Sequence, residues 1–220
     1  MSDILQIEDG VLVECLDRRA TSVTIPDGVI KIRNFAFHFC NLLSSGVIPS
    51  GVTEIGDDPF MKCELLSSVS IPESVTKMGN YVLDGCKSLA SVSIPDSVVE
   101  IGAGTFYGCT SLSSVSIPKS ISKIGYQMFW DCESLLSFSI PPSVTIICKY
   151  AFGYCKSLES VTIPGGVTEI GEGAFMECVA LSELKFGGTK AEWKSIKRGR
   201  CWRRGVPAKS VICADGKVRL

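Results

Sequence analysis

The sequence contains one histidine, His38, and that scarcity excludes much catalytic chemistry. A Ser–His or Cys–His nucleophilic system would have only this imidazole to draw on, and its neighbour Phe39 gives it no catalytic context. No two of the 11 cysteines are spaced C-x-x-C, so a zinc site has no support from spacing. There is no Walker-type phosphate loop. No apolar run reaches the ~18 residues needed to cross a bilayer. The first residues, Met1-Ser2-Asp3-Ile4-Leu5-Gln6, lack the basic and apolar regions of a signal peptide, so the default expectation is cytoplasmic. The chain reads as non-enzymatic, with no cofactor and no metal.

Net charge is also scarce, at -1 overall, but the average hides a division. Residues 1–184 hold 11 Lys/Arg against 21 Asp/Glu, a net -10; residues 185–220 hold 11 against 2, a net +9. An acidic body therefore precedes a basic tail.

What the sequence has in abundance is order. Ile-Pro recurs with proline at 26, 49, 72, 95, 118, 141 and 164, every interval being 23 residues. Cys40, Cys63, Cys86, Cys109, Cys132, Cys155 and Cys178 keep the same interval, as do Phe37, Phe60, Leu83, Phe106, Phe129, Phe152 and Phe175. A period in this range means a solenoid or array, and 23 residues falls within the leucine-rich class.

The unit from Cys86 to Leu112 shows why. Ser91-Val92-Ser93-Ile94 alternates as a half-buried strand with Val92 and Ile94 inward. Pro95 stops the ladder because it has no N–H to donate. Val98 and Ile101 turn inward next. Phe106 and Cys109, three apart on a short helical turn, share its inner face. One such unit buries too few side chains to offset the entropy of ordering it, so it must stack on neighbours. The expectation is one parallel strand per repeat in a single sheet, with a flaw at Gly46, which stands where other repeats place an inward valine.

The ends differ from the repeats. Asp9-Gly10 between Leu5-Gln6-Ile7 and Val11-Leu12-Val13 signals a hairpin. Thr189-Lys190-Ala191-Glu192 fits a capping box, and a helix from there should carry Trp193 and Ile196. Asp215-Gly216 signals a second hairpin. The expected organisation is a capping hairpin over 1–22, seven repeats over 23–187, and a basic cap over 188–220.

The pattern Cys155, Leu158, Val161, Ile163-Pro164, Val167, Ile170-Gly171, Ala174-Phe175 resembles the bacterial BspA-like, Treponema-type leucine-rich repeats, and the likeness extends over about residues 4–218. The resemblance implies a leucine-rich-repeat solenoid with parallel strands and short helical or 3-10 turns. It also implies a surface-associated or secreted protein of bacteria, some of whose relatives bind host matrix proteins or other cells. The expected function is a non-catalytic protein-binding scaffold serving adhesion, with a self-assembling module, acidic body to basic cap, as the alternative.

Three surfaces compete for that role. The outward strand face is almost all hydroxyl, with Ser22, Ser45, Ser68, Ser91, Ser114, Ser137 and Ser160 in one row; it lacks the large anchors that dominate binding energy. The basic run from Lys194 to Arg204 includes Trp202 and reads as a solvated cap plugged by Trp193 and Trp202 rather than as a nucleic-acid site. The turn edge carries Tyr107, Tyr126, Trp130, Tyr150 and Tyr154 at positions the repeat leaves free. Tyr and Trp bury much area with few rotors to freeze, so these five are the candidate contact residues for a protein partner or a second copy. The seven periodic cysteines are expected to be buried, reduced thiols that fill small apolar gaps.

Overall fold

The computed structural model describes residues 4–220. The chain divides into two compact units, one ending at Pro118 and the other running from Lys119 to Leu220. Each is a stack of 23-residue coils.

In the first unit, β1 (Leu5–Glu8) and β2 (Val11–Cys15) form an antiparallel hairpin. Asp9 and Gly10 at its tip have φ of 48° and 75°, the pair of positive angles a two-residue turn requires. Each following coil contributes two strands, where the sequence predicts one. The longer is Ser-Val-Ser in most copies: β3 (Ser22–Thr24), β5 (Ser45–Val47), β7 (Ser68–Ser70), β9 (Ser91–Ser93) and β11 (Ser114–Ser116). The second has only two residues: β4 (Lys31–Ile32), β6 (Glu54–Ile55), β8 (Lys77–Met78) and β10 (Glu100–Ile101). These two-residue strands pair in parallel and continue from the hairpin in the order β1-β2-β4-β6-β8-β10, whereas the longer strands pair as β3-β5-β7 and, separately, as β9-β11, so the single sheet that the sequence predicts is not formed.

The short strands carry an alternating charge, and Lys31 meets Glu54 at 3.1 Å and Lys77 meets Glu100 at 3.9 Å. The 23-residue spacing of these opposite charges was readable in the sequence; two-residue strands have no periodicity of their own to betray them. At β5 the stack is unbroken. Gly46 pairs in register with Val23 and Val69, because the ladder is built from backbone groups and a missing side chain leaves them intact.

The second unit repeats the plan. β12 (Lys123–Ile124), β14 (Ile146–Ile147), β16 (Glu169–Ile170) and β18 (Lys197–Arg198) form one parallel ladder. β13 (Ser137–Ser139), β15 (Ser160–Ile163), β17 (Glu183–Phe186) and β19 (Ser210–Cys213) form the other, closed by the antiparallel β20 (Gly216–Arg219). The helix α1 (Lys190–Ser195) begins at the predicted capping box: Thr189 accepts from the Glu192 amide, and the Glu192 carboxylate accepts from the Thr189 amide. Trp193 and Ile196 are buried.

Inside each unit the periodic side chains form columns. Phe37 stacks on Phe60 with centroids 5.1 Å apart, and Phe152 on Phe175 at 5.2 Å, both pairs within 3° of parallel. The periodic cysteines are buried, and among the described residues no disulfide joins any of the 11 cysteines. Each turn mixes two kinds of hydrogen bond. Cys40 N–H donates to the Phe37 carbonyl at 3.0 Å within its own coil, whereas Phe37 N–H reaches the Pro59 carbonyl of the next at 2.7 Å. That alternation requires alternating backbone conformation, and positive φ recurs every 23 residues at Phe35, Asp58, Tyr81, Gly104, Gln127, Tyr150 and Gly173.

Candidate protein-interaction surface

The turn edge of the second unit gathers four of the five candidate residues into one aromatic cluster. The Trp130 indole lies 4.8 Å from the Tyr154 ring and 5.4 Å, edge-on, from Tyr150. Tyr126 lies 6.4 Å from Tyr150. Tyr126 is 41% exposed, while Trp130, Tyr150 and Tyr154 are half-buried. The fifth, Tyr107, belongs to the first unit, where its half-buried ring meets Tyr81 edge-on at 6.3 Å.

The half-burial has a specific cause. A Cβ placed on Gly153 would lie 2.5 Å from the Trp130 ring, and one on Gly173 would lie 2.4 Å from the Tyr150 ring. Tyr81 stands in the same relation to Gly104. In each case an aromatic in one coil rests on a glycine 23 residues later. These rings therefore serve partly as a covering layer, and the aromatic and the glycine spaced 23 residues apart are its signal in the sequence.

The backbone beneath the cluster follows the repeat. Tyr150 and Tyr154 have φ of 59° and 60°, a region that bulky residues rarely occupy. Other coils place Gly104 or Gly173 at the Tyr150 position, but also Phe35, Asp58, Tyr81 and Gln127, and the Tyr154 position holds Gly85, Gly108, Phe39, Lys62, Asp131 and Glu177. Holding a large side chain in this region costs about 1 kcal/mol or more. Charge frames the rings: Lys149 sits 5.0 Å over the Tyr150 ring and pairs with Glu172 at 2.9 Å, and the Tyr150 hydroxyl donates to the same carboxylate at 3.3 Å. The Glu172 carboxyl is held below its ordinary range by the Lys149 hydrogen bond.

The hydroxyl face is a shallow groove in the first unit of about 520 Å³, lined by Ser68, Ser70, Ser91, Ser93, Ser114 and Ser116 among others. The Ser93 and Ser116 hydroxyls lie 2.7 Å apart, so part of its polar capacity is already satisfied. A wider groove of about 790 Å³ lies near the N-terminal hairpin, where Glu14 and Arg18 pair at 3.2 Å beside Phe35 and His38. Burial lowers the His38 pKa, and the Arg18 charge adds to the shift.

Coils of this period and composition, with parallel ladders on two faces, define a leucine-rich-repeat solenoid. The BspA-type leucine-rich-repeat region matches residues 6–135 and 77–197 in six copies, and the chain belongs to that family. It is 26% identical to a leucine-rich-repeat protein of T. pallidum, with a TM-score of 0.74 over 89% of this chain and 93% of that one. It is 28% identical to a Bacteroides ovatus leucine-rich-repeat protein, with a TM-score of 0.71 over 90% of this chain and 56% of the other. A leucine-rich cell surface protein of Faecalibacterium prausnitzii shares 28% identity at a TM-score of 0.59, matched over 80% of this chain. The chain spans 62% of that protein's length. No curated protein matches the chain. Among the described residues no helix is long and apolar enough to cross a membrane.

Proposed function

We propose that this protein is a non-catalytic scaffold that binds another protein, and that the contact is made by the aromatic edge of Tyr126, Trp130, Tyr150 and Tyr154, with Tyr107 at the equivalent edge of the first unit. The observation that carries this reading is the gathering of Tyr126, Trp130, Tyr150 and Tyr154 into one cluster on the turn edge, with neighbouring rings 4.8 to 6.4 Å apart and Tyr126 exposed. Interfaces concentrate Tyr and Trp.

The setting we infer is the cell surface, as for the Faecalibacterium relative, with adhesion to a host or neighbouring-cell protein as the role. Residues 1–22 and 188–220 act in this reading as caps that keep the open ends of the solenoid from associating. The test is surface plasmon resonance of the chain over immobilised matrix proteins and over itself, comparing the native sequence with a Tyr126→Ser/Tyr154→Ser variant. The reading predicts binding that falls about tenfold or more in the variant, as for loss of interface anchors. Undiminished binding by a folded variant contradicts it. Self-association that disappears in high salt and ignores these substitutions favours assembly of acidic body on basic cap instead.

A further inference from the structure

The second unit also carries a pocket of about 350 Å³ lined by Lys194, Arg198, Arg203 and Arg219, with Trp193 and Trp202 as walls. Four cationic side chains line it and no carboxylate side chain does. Other cations of this unit are ion-paired: Lys149 with Glu172, Lys197 with Glu169 and Arg204 with Glu177. Among the described residues none of the four pocket cations makes an ion pair.

Their positions are set by aromatic rings instead. The Arg198 guanidinium lies 4.8 Å over the Trp193 ring and donates to the Trp193 carbonyl. Its Nε–H is buried and has no hydrogen-bond acceptor among the described residues. Arg203 lies 5.9 Å over Trp202. Trp202 packs edge-on against Trp193 at 6.0 Å and Phe175 at 6.3 Å, which ties the pocket wall to the core of the last coils. The Leu220 amide donates to the Lys209 carbonyl at 2.9 Å and fixes the rim.

Even with the α-carboxylate of Leu220 at the lining, four cations leave an excess of positive charge, and a bound anion relieves their repulsion. A guanidinium fork matches two oxygens of a phosphate or carboxylate, while lysine acts as a point charge. Four cations exceed what one carboxylate can neutralise. We propose that this pocket binds a tetrahedral oxyanion, phosphate or sulfate, either free or as the ester of a small molecule. The half-buried Trp202 face gives an ester's organic part an apolar surface to lie against.

The test titrates the full chain, followed by tryptophan emission, with sodium phosphate, sodium sulfate and phenyl phosphate at constant ionic strength. A saturable response with a Kd of about 1 mM or tighter is expected. Phenyl phosphate binding more tightly than inorganic phosphate identifies an ester ligand, and equal affinity identifies the free ion. Lys194 and Arg219 are exposed, so a Lys194→Gln/Arg219→Gln variant should fold and bind about tenfold more weakly. Lys123→Gln, outside the pocket, should bind as the native chain does. Should the double variant fail to melt cooperatively, Arg203→Gln takes its place with the same expectation. No saturable response to any of the three anions, or equal affinity in the folded pocket variant, overturns the proposal.

Discussion

The thiol of Cys178 donates to the carbonyl oxygen of Phe152, 26 residues earlier, at 3.0 Å. The relation repeats at Cys155 and Phe129, Cys109 and Leu83, and Cys63 and Phe37, at 3.1, 3.1 and 3.2 Å. The cysteine is thus more than a small apolar filler. Its weak S–H donor satisfies a buried carbonyl of the preceding coil. Cys178→Ala removes that donor and leaves a small void, so the chemical denaturation midpoint should fall by the equivalent of about 1–2 kcal/mol. An unchanged midpoint would mean that the carbonyl loses nothing with the thiol.

Burial also sets thiol reactivity. It pushes the Cys63 thiol up to about 12, and the thiolate is the reactive form. Cys201 is exposed, Cys148 is half-buried and the other nine cysteines are buried. A disulfide-exchange reagent should therefore find one fast group and one slow group in the native chain. All 11 should react in denaturant without reductant. A shortfall in denaturant would reveal bridges.

Much of the fold could be read from the sequence because a strict 23-residue interval fixes which side chains share a column. The hairpin turn at Asp9-Gly10 and the capping box at Thr189 were legible for local reasons: each depends on a few consecutive residues. The two-residue ladder has no such local signature, since Lys31-Ile32 and its equivalents are too short to show alternation. Nor has the resting of Trp130 on Gly153, because it is a relation between coils visible only once columns are aligned. The left-handed backbone at Tyr150 and Tyr154 follows from coil-to-coil hydrogen bonding, which residue type alone does not disclose.

Gly46 offers a gain in stability. A Cβ there would meet nothing within 4 Å, and its ladder partners Val23 and Val69 are both buried. Gly46→Val should stabilise the chain by about 1–2 kcal/mol through added apolar burial and reduced freedom of the unfolded chain. Thermal denaturation measures it, and a lower Tm would show that the valine does not fit.

Gly153→Ala should act in the opposite direction. The added methyl would displace the Trp130 ring, lowering stability by about 1–3 kcal/mol and shifting tryptophan emission to longer wavelength as the indole meets water. An unshifted spectrum would mean that the ring does not rest on this glycine.

Asp58 imposes a pH dependence. Burial, together with the charges of Asp84 and Asp57, raises its pKa to about 6, against about 3.9 in an unfolded chain. The folded state therefore holds this proton more tightly, and stability falls as pH rises from about 4 to about 6. Asp58→Asn should raise Tm at pH 7 and flatten the profile across that window. A native profile that rises with pH through the window, and is unaffected by the substitution, would contradict this.

The central claim is that partners dock on the aromatic edge, and oxidative footprinting of the bound chain tests it most directly. With a matrix protein or second copy bound, Tyr126, Trp130, Tyr150 and Tyr154 should become protected from modification, while Phe35 and Phe39, exposed near the N-terminal hairpin, should react as in the free chain. Unchanged labelling of the four ring residues in a complex shown to be formed, with protection elsewhere, would place the binding surface off this edge and contradict the account.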